Sequence, residues 1–332
     1  MTVQKIALTG IKPSGSPHIG NYLGAIKPAL ELTNDHEARY FIADYHAITT
    51  VRDKKLLKEQ IYDIAATWLA AGLNPDEVIF YRQSDIPEVF ELSWILACMA
   101  PKGLLNRAHS YKDSIEKNKE KGKDLDDGIH CGLYYYPILM AADILAFSTN
   151  VVPVGQDQKQ HLEITRDIAQ AFNQVYGEIL TVPDALIDDS VKTVPGLDGR
   201  KMSKSYDNVI PLFVSQKDLQ KSISQIVTDS KGVEEPKDPD SCNLFALYTY
   251  FASPEAVVAK REQYVSGGAG YGDMKKELFE LVNAFVSEGR DKYESLMANR
   301  EQIDWILEEG AEKARQIAGP LLQKVRHAIG IQ

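Results

Sequence analysis

The first half of the chain alternates short β-rich runs with helical stretches, and that rhythm restricts it to few folds. Ile6-Ala7-Leu8, Tyr40-Phe41-Ile42-Ala43 and Val78-Ile79-Phe80-Tyr81 read as strands. Between and after them, 21–32, 54–71 and 88–100 read as helices. In the second of these, Leu57, Ile61, Ile64, Ala65, Trp68 and Leu69 recur at helical period and stop before Gly72 and Pro75. Strand and helix in this order give βαβ units, hence an α/β class with a parallel sheet. Ligands in such sheets lie at the carboxyl ends of the strands. Gly10 and Asp44-Tyr45-His46 each follow a strand directly and should face one crevice. From about residue 215 the strand signals fade and helical period takes over. One face carries Leu278, Leu281, Val282, Phe285 and Val286, and another runs from Ile303 through Ile306, Leu307, Ala311, Ala314 and Ile317 to Val325. This predicts a helical second domain, with a boundary near residues 206–212. The polar, mixed-charge run 112–127 is expected to be an exposed loop.

Two short segments carry the chemistry. Pro17-His18-Ile19-Gly20-Asn21 comes after the first strand and the turn-rich stretch Thr9-Gly10-Ile11-Lys12-Pro13-Ser14-Gly15-Ser16. It opens an apolar-periodic helix with Tyr22, Leu23, Ile26 and Leu30. A helix N-terminus offers backbone N–H groups and the positive end of the dipole, which favour a phosphate; His18 and Asn21 add polar side chains there. By itself this is ordinary turn chemistry. Lys201-Met202-Ser203-Lys204-Ser205 is more specific: it sets two ammonium groups three residues apart, just after Gly196, Gly199 and Arg200. Together the segments are able to hold a nucleoside triphosphate from both sides while its α-phosphorus is attacked.

Composition limits the setting. With 332 residues there is room for two domains, and 44% apolar with 25% charged residues is ordinary for a soluble globular chain. No apolar stretch reaches membrane-spanning length, and Met1-Thr2-Val3-Gln4-Lys5 does not open a signal peptide, so a cytoplasmic protein without a membrane role is expected. Cys98, Cys131 and Cys242 are odd in number and lack metal-ligand spacing; they read as reduced thiols. A net charge of −10 argues by itself against nucleic-acid binding without deciding the matter, and any RNA binding falls to a local basic patch.

The middle of the chain bears on the substrate. Tyr136-Pro137-Ile138-Leu139-Met140-Ala141-Ala142-Asp143-Ile144-Leu145 is an apolar helical stretch with one carboxylate. Met140 and Asp143, three apart, share a face. Asp143 either pairs with a basic neighbour or accepts a hydrogen bond from a flat substrate ring packed on Met140. Further on, Val152-Pro153-Val154-Gly155-Gln156-Asp157-Gln158 leads a strand-like run into a helix whose first polar groups are able to reach a ribose or an ammonium.

Pro17–Asn21 and Lys201–Ser205 resemble the two signature motifs of class I aminoacyl-tRNA synthetases, the first as the HIGH-type motif and the second as an intact KMSKS. Through Gly10–Ala25, Asp44–Thr49, Met140–Ile144, Gly155–Asp167 and Glu308–Ala314, the chain is similar to the tryptophanyl-tRNA synthetase family over nearly its whole length. The resemblance implies a Rossmann-like catalytic domain over 1–208. It also implies a mostly helical domain over 209–332 for anticodon recognition, its last helix packing back on the first. The reaction implied is activation of L-tryptophan by ATP with Mg2+, then transfer to tRNA(Trp), at the 2′-hydroxyl, by a homodimer with no metal site of its own.

Roles follow from the same resemblance. Asp143 receives the indole N–H, Met140 walls the ring pocket, and Leu8, His46 and Gln158 complete the tryptophan site. His18, Asn21, Lys201 and Lys204 are the catalytic group. ATP falls to Lys12, Pro13, Ser14, Gly20 and Asn21, to Gly155, Gln156 and Asp157 around the adenosine, and to Val194 with Met202 on adenine. Lys201, Ser203, Lys204 and Ser205 complete that set. The sister tyrosyl family usually has a Tyr where this chain has Leu8. An indole needs only an acceptor, whereas a phenol both donates and accepts. Lys12 stands where many bacterial members have Gln and is expected to reach the ATP phosphates or the tryptophan carboxylate. A synthetase-like paralogue that no longer aminoacylates is the competing reading, and it has no need of His18, Asp143, Lys201 and Lys204 all intact.

Overall fold

The computed structural model describes residues 4–155, 158–186 and 194–331. Among these, β1 (Lys5–Ile11), β2 (His36–Ile42), β3 (Ile79–Arg82), β4 (Val151–Pro153) and β5 (Asp184–Leu186) form one sheet in the order β3-β2-β1-β4-β5. Every pairing is parallel. A parallel sheet is covered on both faces, and β2 reads accordingly, buried from Ala38 to Ile42. Its alternate residues feed two separate cores. Phe41 packs with Leu8, Ile144 and Phe172 on one side, while Tyr40 and Ile42 pack with Ile26 and Trp68 on the other. The chain goes from β1 outward through β2 and β3, then returns to the opposite edge of β1 as β4. That reversal opens a crevice at the carboxyl ends of β1 and β4. Asn150 ties the two strands beyond their short register: its Oδ1 accepts from Ile6 N at 2.9 Å and its own N donates to Ile6 O at 3.0 Å.

Local chemistry sets the helices. Asp53 caps Lys54–Ala70 by accepting from Lys55 N and Leu56 N, each at 2.8 Å, and Gly72 at φ +113° ends the run. The expected helix over 21–32 begins earlier and is not uniform. Ile19–Asn21 and Lys27–Glu31 are α-helical, and Tyr22–Ile26 between them is a π-type turn. The run 112–127 departs from the expected loop, since His109–Glu120 is a helix. Mixed charge supports it through an (i, i+4) pair, Lys117 to Asp113 at 3.2 Å. Asn118 Nδ2 then donates to Leu125 O and Asp127 O and folds the following turn back.

After residue 215 the fold is helical. Leu219, Leu278, Val282 and Val286 pack with Ile19, Val194 and Met202 in a third core. Phe285 departs from the expected apolar face: it stays 47% exposed, with its ring edge on Tyr22 and on Phe251. The final helix, Arg300–Ile329, lies on β3. Ile303 and Leu307 enter the Trp68 core, and Ala311, Ala314 and Ala318 enter the other. Close approach depends on Gly310, where a Cβ would stand 1.8 Å from Phe80 O.

Gly310→Ala forces helix and strand apart and should cost about 1–3 kcal/mol or more by overpacking. Gly319→Ala on the same helix meets nothing within 4 Å and should gain about 0.5–1 kcal/mol from helix propensity. Urea unfolding of both variants checks the opposite signs.

Candidate active site

A cavity of about 500 Å³ lies in the crevice at the carboxyl ends of the strands. Leu8, Met140 and Val152 supply apolar wall, and Asp143 stands among them. Asp143 is 2% exposed, yet both of its oxygens are bonded. His46 Nε2 lies 2.8 Å from Oδ2, and Gln83 Nε2 donates to Oδ1 at 2.7 Å and to Oδ2 at 2.9 Å. Burial raises the carboxyl pKa, while the His46 and Gln83 contacts pull it back. The pocket therefore combines apolar wall with a buried carboxylate acceptor. Tyr136, one turn before Met140, also lines it, and its hydroxyl links Ser110 Oγ at 2.8 Å to the imidazole of His161.

The two signature segments meet at the mouth of this crevice. Ile19 N donates to Ile210 O at 2.9 Å and Leu212 N to Pro17 O at 3.2 Å, so the chain just beyond KMSKS is pinned to the start of the first helix. Gly20 N points at Met202 Sδ, 3.3 Å away, and a Cβ at Gly20 would crowd both His18 and Met202. Lys204 Nζ donates to Ser14 O at 3.3 Å beside Gly15, whose φ of +102° suits a residue without Cβ. The KMSKS turn is fixed from below by Asn208. Its Oδ1 accepts from Ser203 N at 2.8 Å, and its Nδ2 donates to Asp198 Oδ1 and Lys201 O. Ser203 caps the short turn Lys204–Tyr206 through Ser205 N.

His18 and Asn21 form a reciprocal cap. His18 Nδ1 accepts from Asn21 N at 3.2 Å and Asn21 Oδ1 accepts from His18 N at 3.1 Å. Because Nδ1 accepts, the neutral ring carries its proton on Nε2. Burial, and then the Lys204 ammonium, push the His18 pKa down to about 4. Burial also lowers Lys204 and Lys12. Lys12 Nζ donates to Thr49 Oγ1 at 3.2 Å.

The structure thus brings Leu8, Lys12, His46, Met140, Asp143 and Gln158 to one cavity. His18, Gly20, Asn21 and Met202 stand together beside it, Lys204 reaches Ser14, and Pro13 is buried within the same turn. Val194 lies under Met202, whose N donates to Val194 O at 2.9 Å; both side chains are in the helical core rather than open to a ligand. Gly155 is exposed just past β4, and the helix expected directly after it starts at Lys159. Gln156 and Asp157 lie outside the described residues. Sequence reasoning missed Gln83 and Tyr136. Gln83 follows β3 as Asp44 follows β2, and Tyr136 lies four and seven residues before Met140 and Asp143, so the same rules reach both.

A family model described as tRNA synthetases class I (W and Y) matches residues 2–287. The chain belongs to the class I tRNA synthetases. It is 52% identical over 330 residues to a tryptophan–tRNA ligase of Pseudomonas putida, covering 98% of this chain and 73% of that relative. Among solved structures, a tryptophanyl-tRNA synthetase of Campylobacter jejuni, crystallised with ADP and tryptophan, superposes with a TM-score of 0.91 at 47% identity, covering 98% of this chain and all of that one. The Mycoplasma pneumoniae enzyme gives 0.80 at 30% identity, covering 99% of each chain. Family and Rossmann-like fold agree with the resemblance carried by the two class I motifs.

The His18 imidazole should titrate near pH 4 by nitrogen NMR, with the proton on Nε2. Lys204→Ala should raise that midpoint yet leave it below 6.5, since burial is the larger cause. The unfolded chain binds this proton near 6.5 and the folded chain near 4, so His18 makes stability fall as pH drops through that window. A midpoint of 6.5 in the intact chain would contradict the geometry.

Proposed function

We propose that this class I synthetase activates L-tryptophan with ATP, releasing pyrophosphate, and transfers the tryptophanyl group to tRNA(Trp), releasing AMP. The observation that carries the reading is the buried Asp143 acceptor in an apolar cavity, next to the joined HIGH-type and KMSKS segments. A ring with one N–H fits that acceptor, and the apolar Leu8, 1% exposed, offers nothing to a phenol.

In the first step the tryptophan carboxylate oxygen attacks the α-phosphorus in line, and the bond to pyrophosphate breaks. No covalent enzyme intermediate is needed, so positioning and charge carry the rate. His18 Nε2–H donates to phosphate oxygen while Asn21 holds the imidazole by the reciprocal cap. Lys201 and Lys204 neutralise charge on the leaving pyrophosphate. For this, Lys204 exchanges the Ser14 carbonyl for a phosphate oxygen, an anion that offsets the burial now lowering its pKa. Lys12 reaches the tryptophan carboxylate or α-phosphate from the Thr49 side. Gly155, Gln156 and Asp157 hold the adenosine. Mg2+ enters as the ATP complex; such an ion keeps several waters and binds largely through phosphate oxygens. Among the described residues no group of three or more His, Cys, Asp or Glu is placed to hold a metal ion.

The second step is attack of the terminal adenosine hydroxyl of the tRNA on the mixed anhydride. The helices beyond residue 209 read as the anticodon-recognising part. A homodimer is the assembly that the family resemblance implies. A cytoplasmic site of action fits a partner that is tRNA.

ATP–pyrophosphate exchange tests the reading: tryptophan should support it and tyrosine should not. Lys204→Ala should lower the exchange rate about 10²–10³-fold. Exchange with tyrosine would overturn the substrate assignment, and an unchanged rate in folded Lys204→Ala would remove that lysine from the mechanism.

A further inference from the structure

Gln83 is 1% exposed and absent from the cavity lining, yet it makes two of the three hydrogen bonds to Asp143. Its orientation is settled by its other end. Gln83 Oε1 accepts from Tyr45 N at 3.1 Å, an N–H that it shares with Asp44 Oδ1 at 3.0 Å, so Nε2 faces the carboxylate. The backbone on either side is pinned as well. Arg82 is held by Asp85 and by Asp304 of the final helix, each at 2.8 Å. Ser84 donates from N to Asp44 Oδ1 at 3.0 Å and from Oγ to Asp44 Oδ2 at 2.5 Å. The amide therefore has one available pose.

A carboxylate offers about four lone-pair sites. His46 fills one and Gln83 reaches two, which leaves one for a further donor. We propose that Gln83 is a positioning residue of the amino-acid site: locked by Tyr45 N–H, its amide fixes the Asp143 carboxylate so that a single acceptor position remains for one ring N–H of the substrate. The inference rests on the tryptophan reading and deepens it. Without Gln83 the carboxylate keeps the His46 bond on Oδ2 but loses the donor that spans both oxygens, so Oδ1 is open to water and discrimination between an N–H ring and its isosteres weakens. The charged and titratable groups facing Asp143 are His46 after β2 and Tyr81 on β3; Arg39 on β2 acts on Tyr81.

The test compares the full-length chain with Gln83→Leu, Gln83→Glu and Asp143→Asn in ATP–pyrophosphate exchange. The probes are tryptophan and 3-(benzothiophen-3-yl)alanine, which has sulfur in place of the indole N–H. Gln83→Leu should raise KM for tryptophan about 10-fold or more, leave KM for ATP unchanged and shrink the preference for tryptophan over the sulfur analogue. Its acid limb for tryptophan should move to higher pH, because the lost donors favoured the ionised carboxylate. Gln83→Glu keeps the acceptor for Tyr45 N–H and donates to Asp143 only when protonated. Its kcat/KM for tryptophan should therefore improve as pH falls, opposite to Gln83→Leu, which keeps the proposal testable if the leucine variant fails to fold. Unchanged KM, preference and acid limb in folded Gln83→Leu, or a wild-type pH profile in Gln83→Glu, would overturn the proposal. Failure of the underlying reading looks different: no tryptophan exchange by the unaltered chain, or no loss in Asp143→Asn.

Discussion

β1 pairs with β2 along seven residues on one edge and meets β4 on the other, and the molecule is organised around that double pairing. Parallel strands place their carboxyl ends on one side of the sheet. The turn after β1, the helix after β2, Gln83 after β3 and Gly155 after β4 therefore collect around one crevice. The switch in direction at β1 opens that crevice, and a cavity of about 500 Å³ lies there between the strand ends and the Cys131–Leu145 helix. Gly10 contributes by having no side chain: a Cβ would stand 2.5 Å from the Phe41 ring beside it.

Around this frame, charge is arranged for a guest. Lys12, His18 and Lys204 all have pKa values lowered by partial burial, which means the charged form of each is solvated less well; His18 is the neutral member of the three near pH 7. An anion bound beside them would supply compensating charge and raise all three values. Asp143 is the mirror case, an acidic group raised by burial and relieved by His46 and Gln83. Basic groups thus stand at the mouth of the crevice, and one buried carboxylate lies deeper in.

The helical half is attached at points that matter for this arrangement. Backbone bonds from Ile19 to Ile210 and from Pro17 to Leu212 join the chain after KMSKS to the HIGH-type turn. The final helix, through Asp304, holds Arg82, whose neighbour Gln83 donates to Asp143 at the cavity wall. These contacts join the helical half to both parts of the site, one through backbone and one through a guanidinium.

The sequence by itself determined the βαβ rhythm, the two lysines of KMSKS, a lone carboxylate at Asp143 in an apolar helix and an apolar side chain at Leu8, because periodicity and residue chemistry are local properties; of the two readings open for Asp143, pairing with a basic neighbour is met by His46. It also located the crevice, since the residue after a strand is readable from strand ends alone. Tertiary structure decided the rest. β5 is only three residues, too short for a period to register, and His109–Glu120 is helical despite a composition that reads as loop. Val194 and Met202 sit in a core that sequence cannot assign. Gln83 is a polar residue in a turn until the fold sets it 60 residues away from its partner Asp143 and buries both. A hydrogen bond across that separation has no local signature, since it exists only once β2, β3 and the Cys131–Leu145 helix are packed together.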